Sequence, residues 1–252
     1  SSGQYSLVYN MLSFAVASML GAFAFFVMAQ KLVGLKYRAS MVVSSVVVLI
    51  AGYHYFRIMG SWQEAHQLVN GVYTATGQPF NDAYRYVDWL LTVPLLLVEL
   101  VLVLNLGKGR TGPMLTKLII AAVFMIGLGY PGEVAADSGT RLLFGVLSTI
   151  PFVYILTVLW GQLSAATKDS PANVRNLFSL TRYLLVATWG FYPIAYALGN
   201  AEGTKTAMSV VGLQVGYSIA DVAAKALYGV MIFAIAHAKS QADGSLPSLK
   251  EA

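Results

Sequence analysis

The stretch Met208–Ala238, MSVVGLQVGYSIADVAAKALYGVMIFAIAHA, decides how this chain folds. It is apolar for longer than the roughly 20 residues that a bilayer-crossing helix needs. Yet it carries Lys225 near its middle, with Asp221 one helical turn before it. A lysine at bilayer depth costs roughly 2.5–3.5 kcal/mol on insertion scales, so it needs a partner and usually a purpose. Asp221 can be the partner, because residues i and i+4 share a helix face. The purpose can be covalent, since a buried amine condenses with an aldehyde to form a Schiff base. The pair therefore points toward a chromophore-binding membrane protein.

Composition agrees. The chain is 57% hydrophobic and 11% charged, with a mean hydropathy of +0.66, against roughly 25% charged residues in a soluble domain. Seven apolar runs are long enough to span a bilayer: about Ser6–Leu32, Arg38–Trp62, Asp82–Leu106, Gly112–Tyr130, Ser138–Leu163, Arg175–Asn200 and Lys205–His237. Backbone groups in lipid must pair within their own segment, so each run reads as a helix. The expected architecture is an all-α membrane bundle of seven transmembrane helices, one domain over residues 1–239. A polar tail over 240–252 is expected to be disordered and cytoplasmic. Between the second and third helices, Asn70-Gly71 followed by VYTAT suits a short external hairpin.

Basic residues set the expected orientation. With the N-terminus outside, the inner side gathers Lys31, Lys36, Arg38, Lys108, Arg110, Lys117, Lys168, Arg175, Arg182 and Lys239. The outer side holds chiefly Arg141 and Lys205, with Glu64, Glu133, Asp137 and Glu202. The N-terminus is expected outside and the C-terminus inside, in a multi-pass bacterial inner membrane. The net charge of +5 is this asymmetry, and no basic stripe suggests nucleic acid. Without cysteine there is no disulfide or thiolate metal site, and no metal is expected. The chain begins SSGQYS without an initiator methionine, which suggests a trimmed leader; no signal peptide is legible.

The third apolar run, DAYRYVDWLLTVPLLLVELVLVL, carries Arg85, Asp88, Thr92 and Glu99. At about 100° per residue, Thr92 falls ~40° and Glu99 ~20° from Asp88, so the three share one face. A rise of about 1.5 Å per residue sets the two carboxyl groups roughly 16 Å apart along the membrane normal. A line of acids at two depths is what a proton relay needs. A purely structural role would pair them with Arg85 and with other helices.

RYVDWLLTVPLLLVEL (Arg85–Leu100) resembles the third helix of the microbial rhodopsins. DVAAK (Asp221–Lys225) resembles their retinal-lysine motif, and WGFYP (Trp189–Pro193) their sixth-helix pocket. The likeness runs through all seven helices in order and is similar to the proteorhodopsin and xanthorhodopsin branch of light-driven proton pumps. It implies all-trans retinal bound to Lys225 as a protonated Schiff base, with Asp88 and Asp221 as counter-charge. It further implies Asp88 as primary proton acceptor and Glu99 as donor, Arg85 tuning Asp88, and Thr92 hydrogen-bonding the acceptor. Trp89, Leu96, Trp189, Tyr192 and Pro193 form the implied retinal pocket, where an apolar Leu96 goes with green absorption. His54, in AGYHYFRIMGSW, matches the histidine that pairs with the counterion, which would couple the two titrations.

Two positions depart from bacteriorhodopsin. Leu213 replaces a proton-release glutamate, leaving Glu202 as a candidate for that role. Gly145, in RLLFGVLSTIPF, stands where a bulky tryptophan would be; in xanthorhodopsin-like proteins such a glycine opens a window for a carotenoid antenna. Glycine also serves close helix packing, and both readings stay open. The resemblance implies an ion transporter rather than an enzyme, with lipid and protons as partners and a homo-oligomeric assembly. A sensory rhodopsin signalling through a transducer is the alternative on the same fold, but it would have no need of Glu99. A ligand receptor would leave the Asp221–Lys225 pair without a reason.

Overall fold

The computed structural model describes residues 1–81, 83–135, 137–168, 170–199 and 207–247. The expectations placed on Asp82, Glu202, Lys205 and residues 248–252 lie outside them. Among the described residues the helices are α1 (Ser2–Ala29), α2 (Arg38–Glu64), α3 (Ala83–Leu104), α4 (Lys108–Val134), α5 (Ser138–Lys168), α6 (Ala172–Trp189), α7 (Phe191–Gly199), α8 (Ala207–Asp221) and α9 (Tyr228–Ala242). They form seven spans. A break at Gly190 separates α6 from α7, and a π-helical turn, Val222–Leu227, joins α8 to α9. Six spans are long and apolar enough to cross a bilayer on their own; the α6–α7 span is the one interrupted.

Consecutive spans pack side by side, and α1 closes on α8 to complete the ring. Polarity is inverted relative to a soluble bundle. Arg85, Asp88, Glu99, Asp221 and Lys225 are all buried, while large apolar side chains such as Leu142, Ile150 and Phe124 face outward. Lipid solvates those apolar faces, so the interior is free to hold the groups that lipid rejects. Pro94, Pro113, Pro131 and Pro151 lie inside helices, which neighbouring helices in a membrane bundle tolerate.

The hairpin is β1 (His66–Val69) against β2 (Val72–Ala75), with Leu68 opposite Tyr73. Asn70 and Gly71 both take positive φ, 50° and 79°, the two left-handed positions of a type I′ turn. Tyr73 stacks on Tyr5 at 3.6 Å, which lays the hairpin over the start of α1. The bundle thus has a hairpin end and an opposite end, where the α1–α2 connection meets the end of α9. Helix α9 continues to Ala242, and Asp243 beyond it pairs with Lys36 at 2.7 Å.

Candidate functional site

Lys225 sits within the π-helical turn, and one extra residue per turn re-aims a side chain, as such bulges do at functional sites. Its Nζ lies 2.6 Å from Asp221 Oδ1 and 3.1 Å from Asp88 Oδ2. One cation is thereby shared between α3 and the α8–α9 span. The two carboxylates are otherwise unlike. Asp221 accepts from Tyr55 Oη at 2.6 Å, Tyr192 Oη at 2.6 Å and Trp89 Nε1 at 3.3 Å. No hydroxyl or indole among the described residues donates to the Asp88 carboxylate. The guanidinium of Arg85 lies over the Tyr55 and Tyr217 rings, at 5.6 and 5.2 Å from their centroids.

Glu99 is fully buried farther along α3, toward the end of the bundle away from the hairpin. Its Oε2 lies 2.5 Å from Ser44 Oγ, which also lies 3.1 Å from the Ser40 carbonyl. A hydroxyl has one hydrogen. That hydrogen is shared between the two acceptors when Glu99 is ionised, and goes to the Ser40 carbonyl when a protonated Glu99 donates to Ser44.

A cavity of about 790 Å³ begins at Lys225 and runs between α3, α4, α5 and the α6–α7 span. Trp89, Leu96, Met125, Trp189, Tyr192 and Pro193 line it. An elongated apolar aldehyde fits such a chamber: the size is that of a small-molecule site, the walls are aromatic and aliphatic, and a buried amine closes one end. The other end reaches the lipid-facing surface of α5 at Leu142 and Ile150, which are 70% and 63% exposed.

The profile of the family described as "Bacteriorhodopsin-like protein" matches residues 7–239. The chain belongs to this family: it is a microbial (type 1) rhodopsin. It is 29% identical over 221 residues to a green-light absorbing proteorhodopsin of Gamma-proteobacterium EBAC31A08, covering 87% of this chain and 82% of that one. Among solved structures it is similar to xanthorhodopsin, described as a light-driven ion pump with dual chromophore, at 57% identity and a TM-score of 0.92 over 97% of both chains. It is also similar to thermophilic rhodopsin, at 52% identity and a TM-score of 0.93 over 97% of this chain and 98% of that one. At the level of the family, these relatives support light-driven proton pumping across a bacterial membrane.

The geometry of this rhodopsin refines three sequence expectations. Thr92 Oγ1 donates to the main-chain carbonyl of Asp88 at 2.8 Å instead of to its carboxylate, because a helical threonine readily reaches the carbonyl four residues back. His54 Nδ1 donates to the Ile50 carbonyl at 3.0 Å and stands 3.9 Å from Asp88 Oδ1. That is within ion-pair reach of the acceptor but is not a hydrogen bond. Gly145 lines the same chamber, with Tyr196 beside it. A Cβ built there would fall 2.7 Å from Tyr196 Cε1, so the missing side chain makes room for the Tyr196 ring. Tyr196 is held in that slot by its hydroxyl, 2.8 Å from the Arg141 carbonyl.

Two contacts were not anticipated from sequence. Tyr55 is adjacent to His54 in AGYHYF but reads as one more membrane aromatic. Ser44, in a run of valines and serines, reads as a small packing residue. Only the pairing of α2 with α3 and α8 gives each of them its carboxyl partner.

Proposed function

We propose that this rhodopsin is a light-driven outward proton pump, with all-trans retinal bound through Lys225. Once bound, retinal supplies light absorption and an isomerisation that makes the Lys225 nitrogen a stronger acid and redirects its proton. The remaining work falls to side chains. Asp88 takes the proton, since it is 3.1 Å away and no hydroxyl or indole among the described residues donates to its carboxylate. Asp221, already accepting four hydrogen bonds, stays charged and keeps the site anionic. Arg85, a turn toward the hairpin end, steadies the charge on Asp88 before release. Glu99 then returns a proton to the Lys225 nitrogen, and Ser44 turns its hydroxyl hydrogen onto the carboxylate left behind.

Direction follows from loop charge. Basic residues gather at the end opposite the hairpin, which makes that end cytoplasmic; the N-terminus is then outside and the C-terminus inside. Glu99 lies toward the inner side and Asp88 toward the outer. The observation that carries the reading is the sharing of Lys225 between two unequal aspartates, with the buried Glu99 on the face of α3 that bears Asp88. We further infer a carotenoid antenna against the lipid-facing mouth of the chamber beside Gly145.

The test is light-driven pH change in unbuffered cells given all-trans retinal. The medium should acidify, a protonophore should abolish the signal, and Lys225→Ala should show neither signal nor visible band. Alkalinisation, or a signal strengthened by the protonophore, would reverse the assignment; a slow photocycle without charge movement would favour a sensory rhodopsin.

A further inference from the structure

Lys239 lies on α9 but serves α3. Its Nζ donates to the carbonyls of Val103 and Leu104, each at 2.9 Å. These belong to the last turn of α3, whose final carbonyls have no partners within their own helix. The chain then leaves α3 through left-handed Asn105 and Gly107, φ 55° and 86°. The ammonium also stands 5.3 Å from the Tyr37 ring centroid and 5.9 Å from that of Phe178. Four elements therefore converge on one cation: α3, the turn before α2, α6 and α9.

Val103 is four residues beyond Glu99 and so shares its helix face. The Val103 main chain lies about one turn, roughly 6 Å of axial rise, past Glu99, and the cation stands beyond it, on the Val103 and Leu104 carbonyls. Ser44 and Tyr228 are the hydroxyl groups facing Glu99. Asp243 and Lys36 are the charged groups acting on Lys239. Asp243 is also engaged by Lys36 at 2.7 Å and by the Tyr37 hydroxyl at 2.7 Å, so its charge is shared between Lys36 and Lys239.

We propose that Lys239 is a positioning residue for proton uptake: its ammonium, fixed on the end of α3, stabilises the Glu99 carboxylate formed when Glu99 gives up its proton. The proposal rests on the donor role given to Glu99 above. A buried carboxylate is costly, and a cation at the end of the same helix, in a poorly screened setting, lowers that cost. A cap alone would hold α3 to α9 and affect stability only.

The experiment uses the full chain with retinal in lipid bilayers. Lys239→Met and Lys239→Arg are compared in the wild-type and Glu99→Gln backgrounds. Flash photolysis reads the decay of the deprotonated state across pH, and thermal melting reads stability. Lys239→Met should slow the decay about tenfold and move the alkaline limb of its pH profile up by about one unit. Lys239→Arg, which keeps the charge, should stay within about twofold of wild type. In Glu99→Gln, Lys239→Met should add little, because the group it acts on is gone. A lowered melting temperature with unchanged decay would reduce Lys239 to a cap, and equal slowing in both backgrounds would overturn action through Glu99. If Glu99→Gln alone leaves the decay unaltered, the donor reading itself fails. Lys239→Gln carries the same expectation should the Met variant not fold.

Discussion

Asp88 and Asp221 contact the same Lys225 nitrogen, at 3.1 and 2.6 Å, but only Asp221 is also held by Tyr55, Tyr192 and Trp89. Two carboxylates of one residue type are thereby given different tasks by their neighbours. Asp88→Asn should abolish pumping and shift the visible band to the red, since losing negative charge beside a cationic linkage destabilises its ground state more than its excited state. Acidifying the wild type should reproduce that shift as Asp88 takes a proton. Asp221→Asn replaces one carboxylate oxygen by an amide NH2 that cannot accept, so at least one of the three donors loses its acceptor along with the negative charge, and chromophore formation itself should suffer; leaving a buried polar group unpaired costs about 1–3 kcal/mol. Spectra of the two variants reconstituted with retinal check this. Identical behaviour would show that the neighbours do not divide the roles.

Glu99 and Ser44 should separate colour from turnover. Glu99→Gln lies far from Lys225, so the band should stay nearly fixed while decay of the deprotonated state slows by roughly 100-fold, the low end of what a positioned acid supplies. Added azide should partly restore the rate. Ser44→Ala removes one hydrogen bond to Glu99, a change of about 1 kcal/mol, and should alter the decay several-fold. Flash photolysis with unaltered decay in Glu99→Gln would remove the donor assignment.

The seven spans, the hairpin turn and the acidic face of α3 were legible because each follows from a local period: apolar runs of bilayer length, a left-handed Asn-Gly pair, and 100° per residue. What could not be read locally is which partner each polar group finds. Tyr55 meets Asp221 across 166 positions of sequence and Ser44 meets Glu99 across 55, and neither residue type announces its role. Thr92 is the converse case. Its place on the Asp88 face was right, but local geometry gave its hydrogen to a backbone carbonyl.

Asp243 gives a stability test away from the chemistry. Hydrogen bonds from Lys36 and then Tyr37 hold its carboxyl below the usual carboxylate range. A depressed carboxylate contributes stability that is present above its unfolded value and lost as pH falls through the folded one. Asp243→Asn should therefore melt slightly lower than wild type at neutral pH, with the difference vanishing in acid. High salt should also shrink it, since the pair is partly exposed. A difference that persists at acid pH would show that the ion pair is not its source.

The carotenoid reading now turns on Tyr196 as much as on Gly145. The glycine makes room for the Tyr196 ring, and the chamber meets lipid beside that ring at Leu142 and Ile150. A polyene lying along α5 would cover this apolar mouth over a large area. Hydroxylated or keto carotenoids should then give a structured, red-shifted band with induced circular dichroism, and blue light absorbed by them should drive pumping. Gly145→Trp should remove that contribution by filling the slot and displacing Tyr196. Tyr196→Phe, which loses only the hydroxyl tie to Arg141, should keep it. Retinal-driven pumping should survive in both, since neither change touches Lys225, Asp88 or Glu99. An action spectrum that follows retinal alone with every carotenoid tried would leave Gly145 as no more than the seat of Tyr196.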